Sequence, residues 1–190
     1  MTKAKLHPAL REFSGAMGEM VFRQRNGKLI VSMKPIHTAE PTEEQLAQRE
    51  RFKDAVDYGK LVLSDPALLA YYAPLTVGRD ISSYALAIGD YLRKPSVKSI
   101  DSSKYQGLVG DQITIAAKDD TGIVNVEVSI HGADGTPIES GNAVETGTGR
   151  WSYTATAPVA AGSQVLIDAK AFDRPGGYAV MSISTTVSGN

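Results

Sequence analysis

The side chains best suited to acid–base or metal chemistry are few. Histidine occurs three times in 190 residues, at His7, His37 and His131, with no His-x-His or His-x-x-x-His spacing. A metal cluster would have to draw on distant parts of the chain. Cysteine is absent, which removes disulfides, thiolate metal sites and cysteine nucleophiles together. No Gly-x-Ser-x-Gly elbow, Ser-x-x-Lys pair, phosphate loop or Gly-x-Gly-x-x-Gly is present. Gly147-Thr148-Gly149 runs into Arg150-Trp151 and reads as a hairpin turn. Asp119, Asp120, Asp134, Asp168 and Asp173 are candidates for calcium, which takes six to eight oxygens. Their spacing, one Asp-Asp pair and isolated others, instead fits Asp-Gly turn chemistry. No catalytic residue, metal or cofactor is expected. A polar pocket holding His131 or His37 beside a carboxylate would be the sign of an enzyme.

The stretch MVFRQRNGKLIVSMKP, from Met20 to Pro35, carries more information. Asn26-Gly27 suits the two-residue type I′ hairpin turn, whose residues both need positive φ. That turn sets the register and puts Met20, Phe22, Leu29, Val31 and Met33 on one face with Gln24. The other face carries Arg23, Arg25, Lys28, Ile30, Val21 and Ser32. Arg25 and Lys28 face each other at the tip, where like charges cost some tenths of a kcal/mol. Arg23, Arg25 and Lys28 are therefore either solvated or a candidate anion contact. An isolated two-stranded hairpin is marginal in water, so its apolar face needs cover, from the chain's own helices or from a neighbouring copy.

The elements that must position these residues follow in order. Thr42 with Gln45 forms a capping box for a helix over 42–63, whose apolar stripe is Leu46, Phe52, Val56, Gly59 and Leu63. Ser64-Asp65-Pro66 starts a second helix over 66–73, and a third is expected from Ser82 or Ser83 to Leu92. From Pro95 the texture changes to short β-branched runs broken by turn signals. The expected strands are 97–100, 112–118, 124–131, 137–139, 150–155, 164–172 and 178–187. Trp151, Tyr153 and Ala155 share one side of their strand, which favours core packing over an aromatic sugar-binding face. The reading is α+β: an N-terminal β-hairpin with three helices over 1–95, then an all-β immunoglobulin-like sandwich over 96–190.

Composition bounds the function. At 42% hydrophobic and 22% charged the chain is of ordinary globular composition. Twenty basic residues against 21 acidic, a net charge of -1, lack the basic excess of a nucleic-acid binder. The N-terminal twenty residues hold no apolar run of a secretory signal, and no run approaches the roughly eighteen residues of a membrane span. The expectation is a protein made in the cytoplasm without membrane insertion, or found in a released particle or extracellular filament.

Two resemblances add to this. Ser14-Gly15, Gly18, Val21-Phe22-Arg23, Asn26-Gly27 and Lys34-Pro35, followed by Pro41-Thr42-x-x-Gln45-x-x-x-Arg49-x-x-Phe52, resemble a short N-terminal module of uncharacterised bacterial proteins, many of them prophage- or virion-associated. The match spans about residues 14–60, and Gln45, Arg49 and Phe52 fall on one helical face beside the hairpin's apolar set. From about 96 to 190 the chain is similar to bacterial immunoglobulin-like domains. The pattern I-x-A-x-D-D-x-G-I-x-x-V-x-V appears from Ile115 to Val128, W-x-Y at Trp151 to Tyr153, and A-x-A-x-D-x-x-G from Ala169 to Gly176. That family's last motif usually ends Gly-Asn, where this chain has Gly176-Gly177. The resemblance implies a structural or adhesive module. The expected function is non-enzymatic self-association through Met20, Phe22, Leu29, Val31, Met33, Gln45, Arg49 and Phe52, giving a homo-oligomer with other particle or surface proteins as further partners. The alternative is adhesion or glycan/protein binding through the sandwich loops.

Overall fold

The computed structural model describes residues 14–25, 28–35 and 40–188. The chain forms two compact units, Met1–Leu46 and Ala47–Asn190.

In the first unit β1 (Gly15–Met17), β2 (Met20–Arg25) and β3 (Lys28–Met33) make an antiparallel sheet in the order β1-β2-β3. Met20 pairs with Met33, Phe22 with Val31 and Arg25 with Lys28, the register that the Asn-Gly spacing predicts. Asn26 and Gly27 themselves lie outside the described residues. The strand β1 was not expected from the sequence. It joins β2 through a tight turn in which Gly18 has φ +59°, a conformation glycine adopts at no steric cost. Met17 thereby pairs with Met20 and extends the apolar face by one strand.

The helix α1 (Glu43–Ser64) begins at the end of this unit and runs into the second. Its capping box is formed as expected: Thr42 N donates to Gln45 Oε1 and Gln45 N to Thr42 Oγ1, both at 3.3 Å. Asp65 caps α2 (Pro66–Leu75), accepting from the amides of Ala67 and Leu68 at 2.8 and 3.2 Å. Pro66 opens that helix, and Pro74 lies inside its last turn, so the helix runs two residues beyond the expected end. Ser82 caps α3 (Ser83–Leu92). Val62, Tyr72, Leu86 and Ala87 make a small buried core among the helices. Gly59 lets α1 approach α3 closely, since a Cβ there would lie 2.9 Å from the ring of Tyr84.

Eight strands follow: β4 (Ser96–Asp101), β5 (Gln112–Lys118), β6 (Asn125–Gly132), β7 (Pro137–Asn142), β8 (Val144–Gly147), β9 (Arg150–Thr154), β10 (Gln164–Phe172) and β11 (Tyr178–Thr186). They form two four-stranded antiparallel sheets, β4-β5-β9-β8 and β11-β10-β6-β7, packed as a β-sandwich. Strand β8 is additional to the seven expected. Its four residues are all exposed. Period-two patterning fills the core: Ile113 and Ile115 of β5 and Trp151 and Tyr153 of β9 face Val126, Val128 and Ile130 of β6 and Val165, Ile167 and Ala169 of β10. Trp151, Tyr153 and Ala155 are buried together, as their shared side predicts. Glu139 of β7 ties the sheets at one end, its Oε2 accepting from Tyr153 Oη at 3.0 Å and from the Thr156 amide at 2.7 Å.

Gly107, between β4 and β5, has φ +84°, and a Cβ there would fall 2.5 Å from Val187 Cγ1 and 2.6 Å from the Val159 carbonyl oxygen. The expected result for Gly107→Ala is a loss of about 2–3 kcal/mol, from left-handed strain together with overpacking against backbone, measured by urea unfolding.

Candidate functional site

The expected assembly residues lie mostly on open surface. On the face shared by Phe22 and Val31, Met33 is 64% exposed, Met17 54% and Val31 50%, and Met20 is also exposed. Phe22 and Leu29 are half-buried. No described residue from 14 to 46 is fully buried, so this sheet has an apolar face and no enclosed core. The edges of β1 and β3 have no neighbouring strand among the described residues. On the opposite face Arg23, Ile30 and Lys28 are exposed; the side chain of Arg25 lies outside the described residues. Along α1, residues 43–54 are exposed throughout, with Phe52 at 52%. Gln45 is engaged in the cap, while Arg49 and Phe52 project one and two turns further on.

His131 is the described histidine; His7 and His37 fall outside. Its Nδ1 lies 3.5 Å from Asp168 Oδ2 on the outward face of β6 and β10. The hollow of about 220 Å³ beside it is lined by Gly132, Ala133, Gly135, Gln164, Val165, Leu166 and Ser184. None of those side chains is ionisable; Ser184 supplies a hydroxyl, and His131 and Asp168 are not among the lining residues.

A second feature lies within the second unit, where α1, α3 and the β10–β11 turn meet. A groove of about 310 Å³ is lined by Arg51, Tyr91, Lys94, Tyr178 and the backbone of residues 175–177. Arg51 is held in place by donating to the Leu92 carbonyl at 2.6 Å. Lys94 Nζ lies 5.7 Å and Lys170 Nζ 4.1 Å from the centre of the Tyr178 ring, within cation–π range. Among the described residues none of these three cations has a carboxylate partner. The groove therefore presents uncompensated positive charge beside two tyrosine rings, which suits an anion attached to a flat or apolar body. Linear spacing gave no sign of it, because residues 51, 91, 94 and 178 come together only in the fold.

Asp119 and Asp134 close their own turns, and Asp120 reaches a helix. Asp119 Oδ2 accepts from the amides of Thr121 and Gly122 at 2.9 and 3.1 Å, and Asp134 Oδ1 from the Thr136 amide at 3.0 Å. The backbone bond from Thr136 holds the Asp134 carboxyl below its ordinary range. Asp120 pairs with Arg93 at 2.6 Å. Among the described residues no group of three His, Asp or Glu side chains is arranged to hold a metal ion. No described helix is long and apolar enough to cross a membrane.

No family model matches the chain, and no curated protein matches it. Among solved structures it is similar to CopC from Methylosinus trichosporium OB3b, at 12% identity and TM-score 0.38, over 50% of this chain and 93% of that one. It is also similar to a Br derivative of BhCBM56, at 12% identity and TM-score 0.33, over 48% of this chain and 88% of that one. Such scores carry no argument about what this chain binds.

Proposed function

We propose that this chain is a non-enzymatic structural protein that self-associates through its N-terminal module, the sandwich projecting outward as an immunoglobulin-like domain. The observation that carries the reading is the apolar sheet face of Met17, Met20, Val31 and Met33, exposed beside strand edges that have no neighbouring strand among the described residues. Open edges and apolar faces are the surfaces through which strands add to strands and sheets pack on sheets. Leu46 and Phe52 of α1 are further exposed apolar side chains. The strand orders β4-β5-β9-β8 and β11-β10-β6-β7 match the A-B-E-D and G-F-C-C′ orders of immunoglobulin sandwiches, which supports that name for the domain. A phage-like particle, tail or filament is the proposed setting, on the resemblance of residues 14–60. Light scattering and electron microscopy of the full-length protein test it. Ordered rings, sheets or fibres are expected; a dispersed monomer at high concentration whose melting is unchanged by deleting residues 1–35 overturns it.

The groove favours a second reading, a binding module whose loops take an anionic saccharide or protein surface. On that reading Lys94→Glu weakens binding of a sulfated or carboxylated oligosaccharide tenfold to a hundredfold, the worth of one charge-assisted contact of about 1.5–3 kcal/mol. Calorimetric titration measures it, and equal heats for the two proteins would remove the groove from consideration.

A further inference from the structure

A chain of oxygen-to-oxygen contacts joins the helices to the sandwich, and its protons can be counted. Tyr58 Oη of α1 lies 3.0 Å from Tyr72 Oη of α2. Tyr72 Oη lies 2.5 Å from Asp90 Oδ2 of α3. Asp90 Oδ1 lies 2.5 Å from Thr121 Oγ1, in the turn after β5, and Thr121 Oγ1 lies 2.8 Å from Asp119 Oδ2. These are four hydrogen bonds, each needing one hydrogen, while the three hydroxyls supply three. Without a fourth, Thr121 has to divide a single hydrogen between the Asp90 and Asp119 carboxylates; a hydrogen on one of those carboxyl groups completes both bonds. Asp119 Oδ2 already accepts two backbone amides, which favours its ionised form. Asp90 has no amide donor or cation of its own and is buried.

We propose that Asp90 keeps a proton in the folded protein at a pH where an exposed aspartate has lost it, and that this proton is a latch holding the helices on the sandwich until rising pH removes it. The protons then run in one direction: Tyr58 donates to Tyr72, Tyr72 to Asp90 Oδ2, Asp90 Oδ1 to Thr121, and Thr121 to Asp119. The charged surroundings agree. From the β5–β6 turn Asp119 and Asp120 face Asp90, and Asp173 of the β10–β11 turn adds negative charge nearby. Of the cations, Arg93 on α3 lines the same small pocket but is paired with Asp120. Arg174 lies flat over the Tyr71 ring, 4.2 Å from its centre. Burial above all, and the Asp119 and Asp120 carboxylates after it, push the Asp90 pKa upward, while the hydroxyl of Tyr72 works against them.

The direction of the pH effect follows from that raised value. The stabilisation is complete below the unfolded pKa of about 3.9. Between that value and the folded one, the folded-to-unfolded ratio falls up to tenfold per pH unit, and it levels off above. Asp90→Asn keeps the shape, donates to Thr121 and cannot ionise. The wild type should therefore lose stability relative to D90N between pH 4 and the folded pKa, read by calorimetry of the full chain at each pH. The carboxyl carbon of Asp90 in the wild type, followed by carbon-13 NMR, should titrate at higher pH than the exposed aspartates of the same chain and needs no variant to fold. Parallel stability curves, or an Asp90 carboxyl carbon that titrates with the exposed aspartates, overturn the proposal.

Discussion

Aspartate at both Val31 and Met33 is expected to weaken self-association about a thousandfold. Each side chain already has half or more of its surface open. Covering that open surface in an interface is worth roughly 1 kcal/mol per residue, about half the value of a fully buried side chain. In a two-fold contact every residue counts twice, so the two positions contribute about 4 kcal/mol, or about three decades in the association constant. Facing aspartates would add repulsion. Sedimentation equilibrium over a hundredfold range of concentration measures the change. Because neither residue belongs to the sandwich core, its melting should stay where it was. Unaltered association would exclude this face from the interface.

Ile167→Ala should cost about 2–5 kcal/mol, the range for emptying a buried isoleucine site. Ile167 is fully buried and pairs with Ile130 on one side and Ile183 on the other, so its loss leaves a gap that rigid sheets fill poorly. A second unit of this size should melt about 10 °C lower. Val180→Ala is the control: it lies on the neighbouring strand, 52% exposed on the outward face, and should change stability by less than about 0.5 kcal/mol. If both substitutions cost the same, the assignment of inward and outward faces is wrong.

What could be read in advance was whatever short-range chemistry decides. Asn26-Gly27 was enough for the register of Phe22 against Val31, and Thr42 with Gln45 for the start of α1. Alternation placed Trp151 and Tyr153 inside. Strands β1 and β8 escaped because three or four residues cannot show a period. The groove at Lys94 and Tyr178 escaped because only the fold brings its walls together. Asp119 through Gly122 was legible as a turn, and a turn it is. That Thr121 would also meet Asp90 depends on how α3 lies across that turn, which no local pattern encodes.

A unit of 46 residues in which no described residue is fully buried has little hydrophobic free energy of its own, and chains of that size usually need outside support to fold. If neighbouring copies supply it, ordering and assembly of this unit are a single equilibrium governed by mass action. Its apparent melting temperature would then rise with protein concentration, while that of the sandwich would not.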